Sequence, residues 1–209
     1  MMIRYFFDDF LFLVSISIDF LQGFWHLRKA RSYVTIFGSA RYANDNANYE
    51  LAKSIGKILA EEKMAVMTGG GPGIMEGAAR GAKESRGVTY GCNITLPHEQ
   101  KPNPYLDYTA TFKYFFTRKL MLNKYALAFI ILPGGFGTID EFAGIITLMQ
   151  TGKMDRRPII FIGKNYWEKF FDFLSTTMVN EKTINAVDLK LLTFTDDLEL
   201  VRQIVRFQK

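Results

Sequence analysis

The residues of this chain that could do chemistry are concentrated between Pro133 and Glu141. A proline, glycines and a threonine there precede two adjacent carboxylates, Asp140 and Glu141. Glycines let a backbone approach a phosphate closely, and the unpaired N–H groups of a helix N-terminus bind anions. The carboxylates are poorly suited to holding that anion themselves. We therefore expect them to act on the group that is attached to it.

Two adjacent cations, Arg118 and Lys119, also need an explanation, because the residues on both sides of them are apolar. The simpler interpretation is that both side chains extend to solvent from one exposed edge of a helix. The functional interpretation is that Arg118 faces the same crevice and contacts an anion or Glu141. The sequence leaves both interpretations open.

The glycine motif must be positioned by a strand before it and a helix after it. The apolar run 128–132 has the length of one buried strand, and apolar residues recur at helical spacing from Thr138 to Met149. Strands are predicted at 33–37, 64–67, 88–94, 128–132, 158–163 and 192–194, and helices at 10–20, 48–63, 74–84, 112–125, 138–149, 166–179 and 196–207. The stretch from Pro97 to about Asp107 is predicted to be an irregular loop.

The alternation of strands and helices predicts the fold class. Such a pattern forms right-handed βαβ units, in which helices cover both faces of a parallel sheet. We expect an α/β protein with a single Rossmann-like, doubly wound domain at residues 31–209 and a mostly parallel sheet of six or more strands. Residues 1–30 are expected to form an extra N-terminal helix.

The expected strand order brings the candidate residues together. In the order 3-2-1-4-5-6, the first and fourth strands are neighbours, and ligands bind beyond their carboxyl ends. Gly38 and Ser39 follow the first strand, and the turn 133–138 follows the fourth. The glycine-rich loop 69–73 follows the second strand and would border the same crevice. These spacings match neither the Gly-x-Gly-x-x-Gly dinucleotide motif nor the Walker motif, which disfavours a redox dinucleotide and a Walker-type NTPase.

The composition narrows the range of partners. Of the 209 residues 48% are hydrophobic, which is enough for a full core, and the formal net charge of +5 suits a small anionic ligand. The chain carries no recognised nucleic-acid module, so we expect no nucleic-acid partner. Cys92 is the single cysteine, consistent with a reducing, cytoplasmic location. His26 and His98 are far apart in the sequence and form no metal-ligand pattern.

The apolar N-terminal run 10–20 raises the question of a membrane segment. Ser15, Ser17 and Asp19 interrupt the run, and it falls short of the ~20 apolar residues that a spanning helix needs. We expect an amphipathic helix that packs on the domain or on a partner subunit, without stable membrane insertion. A peripheral membrane contact stays open as the alternative.

Three segments of the chain resemble the Lonely Guy family. They are 69–76, the pair Arg118-Lys119, and 133–141, and they match the family in motif, order and spacing. Members of the family are cytokinin riboside 5'-monophosphate phosphoribohydrolases, often mislabelled lysine decarboxylases. The likeness runs from about Val34 to the C-terminus. The N-terminal helix, 97–105 and 114–116 resemble the longer bacterial branch.

The resemblance implies hydrolysis of the N-glycosidic bond of AMP, or of N6-substituted AMP, to free base and ribose 5-phosphate. It implies no cofactor and no metal, and an assembly of at least a dimer. By motif, Arg118 and Glu141 correspond to the catalytic arginine and glutamate. A non-catalytic nucleotide-binding sensor or carrier is the alternative, and it would need only the phosphate site.

The resemblance also assigns binding residues. The predicted substrate and phosphate contacts are Gly38, Ser39, Gly70, Gly71, Gly73, Met75, Lys119, Gly134, Gly135, Phe136, Gly137, Thr138, Asp140 and Thr147. An acidic residue that many members place before the catalytic helix corresponds to either Glu99 or Gln100. Leu122 stands where a methionine is common, so contacts to the base differ there.

Overall fold

The computed structural model of the protein describes residues 2–29, 32–96 and 101–208. Strands β1 to β7 are Tyr33–Phe37, Ala65–Thr68, Thr89–Ile94, Tyr108–Phe112, Ala126–Ile131, Ile159–Phe161 and Leu192–Phe194. Helices α1 to α7 are Met2–His26, Ala47–Glu61, Ile74–Glu84, Phe115–Asn123, Phe136–Gln150, Lys164–Asp172 and Leu198–Arg206. A π-helical turn at Phe173–Met178 and a 3-10 turn at Asp188–Leu191 complete the regular structure of this part of the chain.

The seven strands form one sheet in the order β4-β3-β2-β1-β5-β6-β7, and all six neighbouring pairs are parallel. The predicted α/β, doubly wound fold is therefore confirmed. The first strand and the strand before the glycine motif are neighbours, with Phe37 paired to Ile131. Their carboxyl ends meet at one edge of the sheet, where a ligand crevice is expected.

Side chains of the central strands alternate between two apolar cores, one on each face of the sheet. Tyr33 and Phe37 belong to the core that includes residues of α4, α5 and α6. Val34 and Ile36 belong to the core that includes residues of α2, α3 and α7. Both cores consist of side chains that are less than a tenth exposed, so the helices next to the crevice are firmly packed.

The prediction was wrong between residues 107 and 115. The structure has a parallel edge strand at Tyr108–Phe112, and α4 begins only at Phe115 rather than at Phe112. Aromatic and β-branched residues favour this strand, and the Tyr108 ring stacks on Tyr90 with centroids 5.1 Å apart. The apolar spacing that continues into α4 concealed the strand in the sequence. Glu99 and Gln100 lie outside the described residues.

Helix α1 lies within the segment 1–30 that was expected to form an N-terminal helix, and it packs mainly on β4 and α4. The side chains of α1 from Phe7 to Val14 are all exposed. Asp19 and Gly23 of the helix, and Leu27 just after it, are buried against the domain. Among the described residues, no helix is long and apolar enough to cross a membrane.

Helices α2 and α3 pack so closely that glycine is required at their contact. A Cβ atom at Gly56 would lie 2.0 Å from the carbonyl oxygen of Ala78. We expect Gly56→Ala to lower the free energy of unfolding by about 1–3 kcal/mol, because a rigid backbone must shift. Gly144→Ala in α5 is the control: its Cβ would meet only the Lys119 Nζ atom, at 3.8 Å. Urea denaturation should show the control unchanged or stabilised, and equal stability of both variants would contradict the close packing.

Candidate active site

A cleft of about 790 Å³ opens beyond the carboxyl ends of β1 and β5. Its volume lies within the roughly 300–1,000 Å³ that is typical of small-molecule sites. The predicted site residues that line it are Gly38, Ser39, Met75, Arg118, Gly134, Gly135, Phe136, Gly137, Thr138, Asp140 and Glu141. The structure thus brings together residues from the β1 loop, α3, α4 and the first turn of α5.

The predicted glycines of the β2 loop lie behind the cleft lining and shape it. Gly70 and Gly71 offer their carbonyl groups to the Asn103 amide, at 3.2 and 3.0 Å. Gly73 has a φ of +66°, and a Cβ there would lie 2.4 Å from the carbonyl oxygen of Ser39. Glycine is therefore needed for the loops after β1 and β2 to meet.

Three other predicted residues lie at the rim or away from the cleft lining. Lys119 forms an ion pair with Asp140, with Nζ and Oδ2 2.6 Å apart. Thr147 is exposed further along α5, and Leu122 is fully buried in the core. The structure does not bring the side chains of Thr147 and Leu122 into this cleft.

The glycine motif predicts an anion seat at the N-terminus of α5, and the structure shows the geometry of this turn. The amide of Thr138 donates to the carbonyl of Gly135 at 3.0 Å, so the amides of Phe136 and Gly137 precede this first bond of the turn. A Cβ atom at Gly135 or Gly137 would meet no atom within 4 Å, whereas one at Gly134 would lie 2.1 Å from the Thr138 Oγ1 atom. The turn therefore leaves open space at Gly135 and Gly137, whereas it is tightly packed at Gly134.

Arg118 and Glu141 form an ion pair at the wall of the cleft. The Arg118 Nη1 atom lies 3.1 Å from Glu141 Oε1, and the two side chains are only 14% and 7% exposed. The Arg118 Nε–H group donates to the carbonyl of Cys92 at 2.7 Å, which fixes the plane of the guanidinium. The other carboxylate oxygen, Oε2, is buried and has no hydrogen-bond partner among the described residues. Arg118 therefore faces the crevice and contacts Glu141 rather than extending to solvent.

Burial raises the pKa of Glu141 above its ordinary value, although the cations Arg118 and Lys119 lower it and Asp140 raises it further. A carboxylate of increased basicity is a better proton acceptor than an exposed one. Burial also raises the pKa of the Cys92 thiol to about 12. That thiol stays neutral at physiological pH, so it is unsuited to act as a nucleophile.

Several cleft residues were not predicted from the sequence. They are Ala40, Arg41, Tyr42, Phe115, Ile139 and Tyr166, together with the strand ends Ile36 and Phe37, whereas Gly69, which also lines the cleft, belongs to the predicted loop 69–73. Tyr166 lies in the first turn of α6 and donates its hydroxyl to the carbonyl of Gly134 at 2.8 Å, next to the glycine turn before α5. The strand order alone could have indicated Tyr166, because β6 ends beside β5 at the same edge.

The rest of the described chain offers weaker candidates. A second cavity, of about 510 Å³, is lined by apolar residues of α1 and α4 and by Tyr33, and its one charged lining residue is Arg28. No group of three or more potential metal ligands occurs among the described residues. The buried ion pair of Arg118 and Glu141 therefore distinguishes the cleft beyond β1 and β5.

A sequence model of the protein family described as "Possible lysine decarboxylase" matches residues 75–205. Among curated proteins, a "probable cytokinin riboside 5'-monophosphate phosphoribohydrolase" of Oryza sativa subsp. japonica is 27% identical over 169 residues, which are 78% of this chain and 72% of the relative. A "pyrimidine/purine nucleotide 5'-monophosphate nucleosidase" of Escherichia coli K12 is 28% identical over 192 residues, which are 86% of this chain. The chain spans about two fifths of the length of that nucleosidase, 41%.

The fold is also similar to that of solved structures. The molybdenum cofactor carrier protein of Chlamydomonas reinhardtii is similar with a TM-score of 0.61 and 22% sequence identity, covering 85% of this chain and 98% of the carrier. At this identity the likeness concerns the fold alone. The family resemblance seen in the sequence motifs is confirmed by the family match and the curated relatives.

Removal of the Arg118 guanidinium should reveal how much the burial of the Glu141 carboxylate destabilises the folded chain. We expect Arg118→Met to lower the free energy of unfolding by about 3 kcal/mol at pH 7, because an unpaired buried carboxylate remains. The folded-state pKa of Glu141 is already raised, so protonation favours the folded chain. The penalty should be full above the folded pKa and should shrink as the pH falls below it.

Urea denaturation at a series of pH values measures this effect. Arg80→Met is the control, since Arg80 pairs with Glu84 at the surface, and little change is expected. A loss for Arg118→Met that does not depend on pH would contradict an ion-pair origin.

Proposed function

The chain belongs to the Lonely Guy family, and we propose that it hydrolyses the N-glycosidic bond of AMP or of N6-substituted AMP. The products would be the free base and ribose 5-phosphate. The names of the curated relatives, a cytokinin nucleotide phosphoribohydrolase and a nucleotide nucleosidase, support this reaction class. Hydrolysis consumes only water, so the proposal includes no cofactor, and it sets aside the lysine decarboxylase of the family description.

The observation that carries the proposal is the buried Arg118–Glu141 pair at the wall of the cleft. Breaking a bond between ribose and base builds positive charge on the ribose, as in glycosidases. A carboxylate beside C1' stabilises that charge. This carboxylate, which lines the cleft, can also orient a water molecule and accept its proton. We assign both roles to Glu141.

Arg118 prepares Glu141 for these roles. Its Nη1–H group occupies Oε1, and the Cys92 carbonyl prevents the guanidinium from rotating. Because the geometry exists before the substrate binds, little reorganisation is needed in the transition state.

The phosphate is proposed to bind at the N-terminus of α5, one helical turn before Glu141. There the amides of Phe136 and Gly137 and the helix dipole all favour an anion. Binding energy gained at the phosphate can hold the reacting bond against Glu141. Lys119 and Asp140, paired at the rim, are proposed to contact the nucleotide from the α4 side.

Incubation with AMP, N6-isopentenyl-AMP, GMP and CMP, with analysis of the released base, tests the reaction and ranks the substrates. We expect Glu141→Gln to lower kcat by about 10²–10⁴-fold, because the amide cannot accept a proton. Binding of ribose 5-phosphate should persist, since its seat is separate. Glu84→Gln, on the outer face of α3, is the matched control and should keep full activity. Tight AMP binding without turnover by the native chain would instead favour the sensor or carrier.

The open space at Gly137 gives an independent test of the phosphate seat. Gly137→Ala fits the free protein, and alanine suits a helix better than glycine, so stability should not fall. In the complex the added methyl group would crowd the phosphate. We expect the affinity for ribose 5-phosphate to fall by about tenfold or more, as when a charge-assisted hydrogen bond is lost. Calorimetric titration measures it, with Gly144→Ala as the control in the same helix; unchanged affinity would place the phosphate elsewhere.

Three expectations stay predictions. They are the division into an extension at 1–30 and a catalytic domain at 31–209, an assembly of at least a dimer, and a cytoplasmic location. The exposed apolar side chains of α1 between Phe7 and Val14 support contact with a second copy. The buried, unpaired Cys92 supports a reducing compartment.

A further inference from the structure

The helix that carries Arg118 needs external support. Helix α4 has nine residues, and helices of about this length are not stable in water by themselves. Its N-cap residue, Tyr114, has no side-chain acceptor for the amides of the first turn, and that turn contains no acidic residue. Its position must therefore be set by contacts with other elements.

Asp19 of α1 supplies such contacts at the start of α4. Its Oδ1 atom accepts from the amide of Lys113 at 2.9 Å, and Oδ2 accepts from the amide of Tyr114 at 3.2 Å. The hydroxyl group of Thr117 donates to Oδ2 as well. Asp19 is only 5% exposed, so these donors replace the water that the carboxylate loses on folding.

This arrangement corresponds to one half of a capping box, with the carboxylate supplied by another helix. In an ordinary capping box, an acidic side chain in the first turn accepts from the N-cap amide. Here Thr117 occupies that turn position, and Asp19 joins its hydroxyl to the N-cap amide of Tyr114. The negative charge also complements the positive end of the helix dipole.

The capped turn leads directly to Arg118. The Arg118 amide donates to the carbonyl of Tyr114 at 3.2 Å, and Thr117 precedes Arg118 in the chain. Asp19 thus holds both residues that determine where the Arg118 side chain starts. A small rotation of this turn would move the guanidinium relative to Glu141.

The other end of α4 is fixed by the central strand. The hydroxyl of Tyr33 donates to the carbonyl of Met121 at 2.6 Å, and that of Thr35 donates to Leu122 at 2.7 Å. Since β1 anchors the C-terminal end, freedom of α4 is greatest at its N-terminal end. That is the end which Asp19 holds.

We propose that Asp19 is a positioning residue for the hydrolysis, which it serves by holding the first turn of α4 so that Arg118 stays paired with Oε1 of Glu141 at the wall of the cleft. The inference rests on the proposed function for its effect on turnover. It gives α1 a role in the site, although α1 itself contributes no residue to the cleft lining.

Asp19→Asn tests the proposal, because the amide keeps the size of the side chain but loses an acceptor and the charge. Asp9→Asn, an exposed position on the same helix, is the matched control. We expect kcat for AMP to fall about tenfold to a hundredfold in Asp19→Asn, as for a misplacement of about 1 Å. KM should change less than about twofold, because the phosphate seat on α5 is untouched.

A second readout follows the Arg118–Glu141 pair without turnover. The groups that act on the Glu141 carboxyl are Arg118 and Lys119 from α4, Asp140 from α5 and the Cys92 thiol from β3. A displaced guanidinium stabilises the carboxylate less, so the pKa of Glu141 should rise. Carbon-13 NMR titration of the carboxyl measures it. The acidic limb of the kcat profile should then move to higher pH.

Each outcome decides one question. If Asp19→Asn only lowers Tm, while kcat and the pKa of Glu141 match those of Asp9→Asn, Asp19 is merely structural and the proposal is overturned. If the native chain hydrolyses no nucleotide, the proposed function fails, yet a raised pKa of Glu141 still supports the positioning role. If Asp19→Asn does not fold, Thr117→Val removes one bond of the cap, and it should change kcat and the pKa in the same direction by less.

Discussion

The constraint on which the site depends is the burial of two opposite charges, Arg118 and Glu141, at the wall of one cleft. Removing a charge from water is costly unless its partners are well placed. The Cys92 carbonyl and the Glu141 Oε1 atom satisfy the guanidinium at 2.7 and 3.1 Å. Glu141 is satisfied at only one oxygen. The other oxygen, Oε2, is buried without a hydrogen-bond partner among the described residues, which is a local cost to stability.

Satisfying this constraint requires two helices to approach the same edge of the sheet. Helix α5 arrives there because it directly follows β5, and its glycine turn keeps the first amides free. Helix α4 reaches this position from the outer edge of the sheet, because it follows the edge strand β4. The direct connection to β5 therefore places the start of α5. The position of α4 depends on tertiary contacts at both of its ends.

The same difference explains what could be predicted from the sequence. Strand, glycine turn and helix are local patterns, so the turn from Gly134 to Thr138 and the strand before it could be predicted. Whether Arg118 meets Glu141 or extends to solvent depends on the rotation of α4, which Asp19 helps to set from a distant part of the chain. Edge strand β4 was missed because its apolar spacing runs into that of α4. Leu122 and Thr147 illustrate the same limit, since a motif gives a position in the chain but not the direction of a side chain.

The role inferred for Asp19 also bears on the apolar N-terminal helix. From the sequence alone, an apolar run with one aspartate is interpreted as a packing segment that the charged residue interrupts. In the folded chain that charge is buried and bound to three donors of the α4 cap. A helix that served only for packing would be more stable with an apolar residue at this position, because a buried carboxylate must first lose its hydration. The carboxylate is explained by what it holds, the turn that carries the arginine facing Glu141.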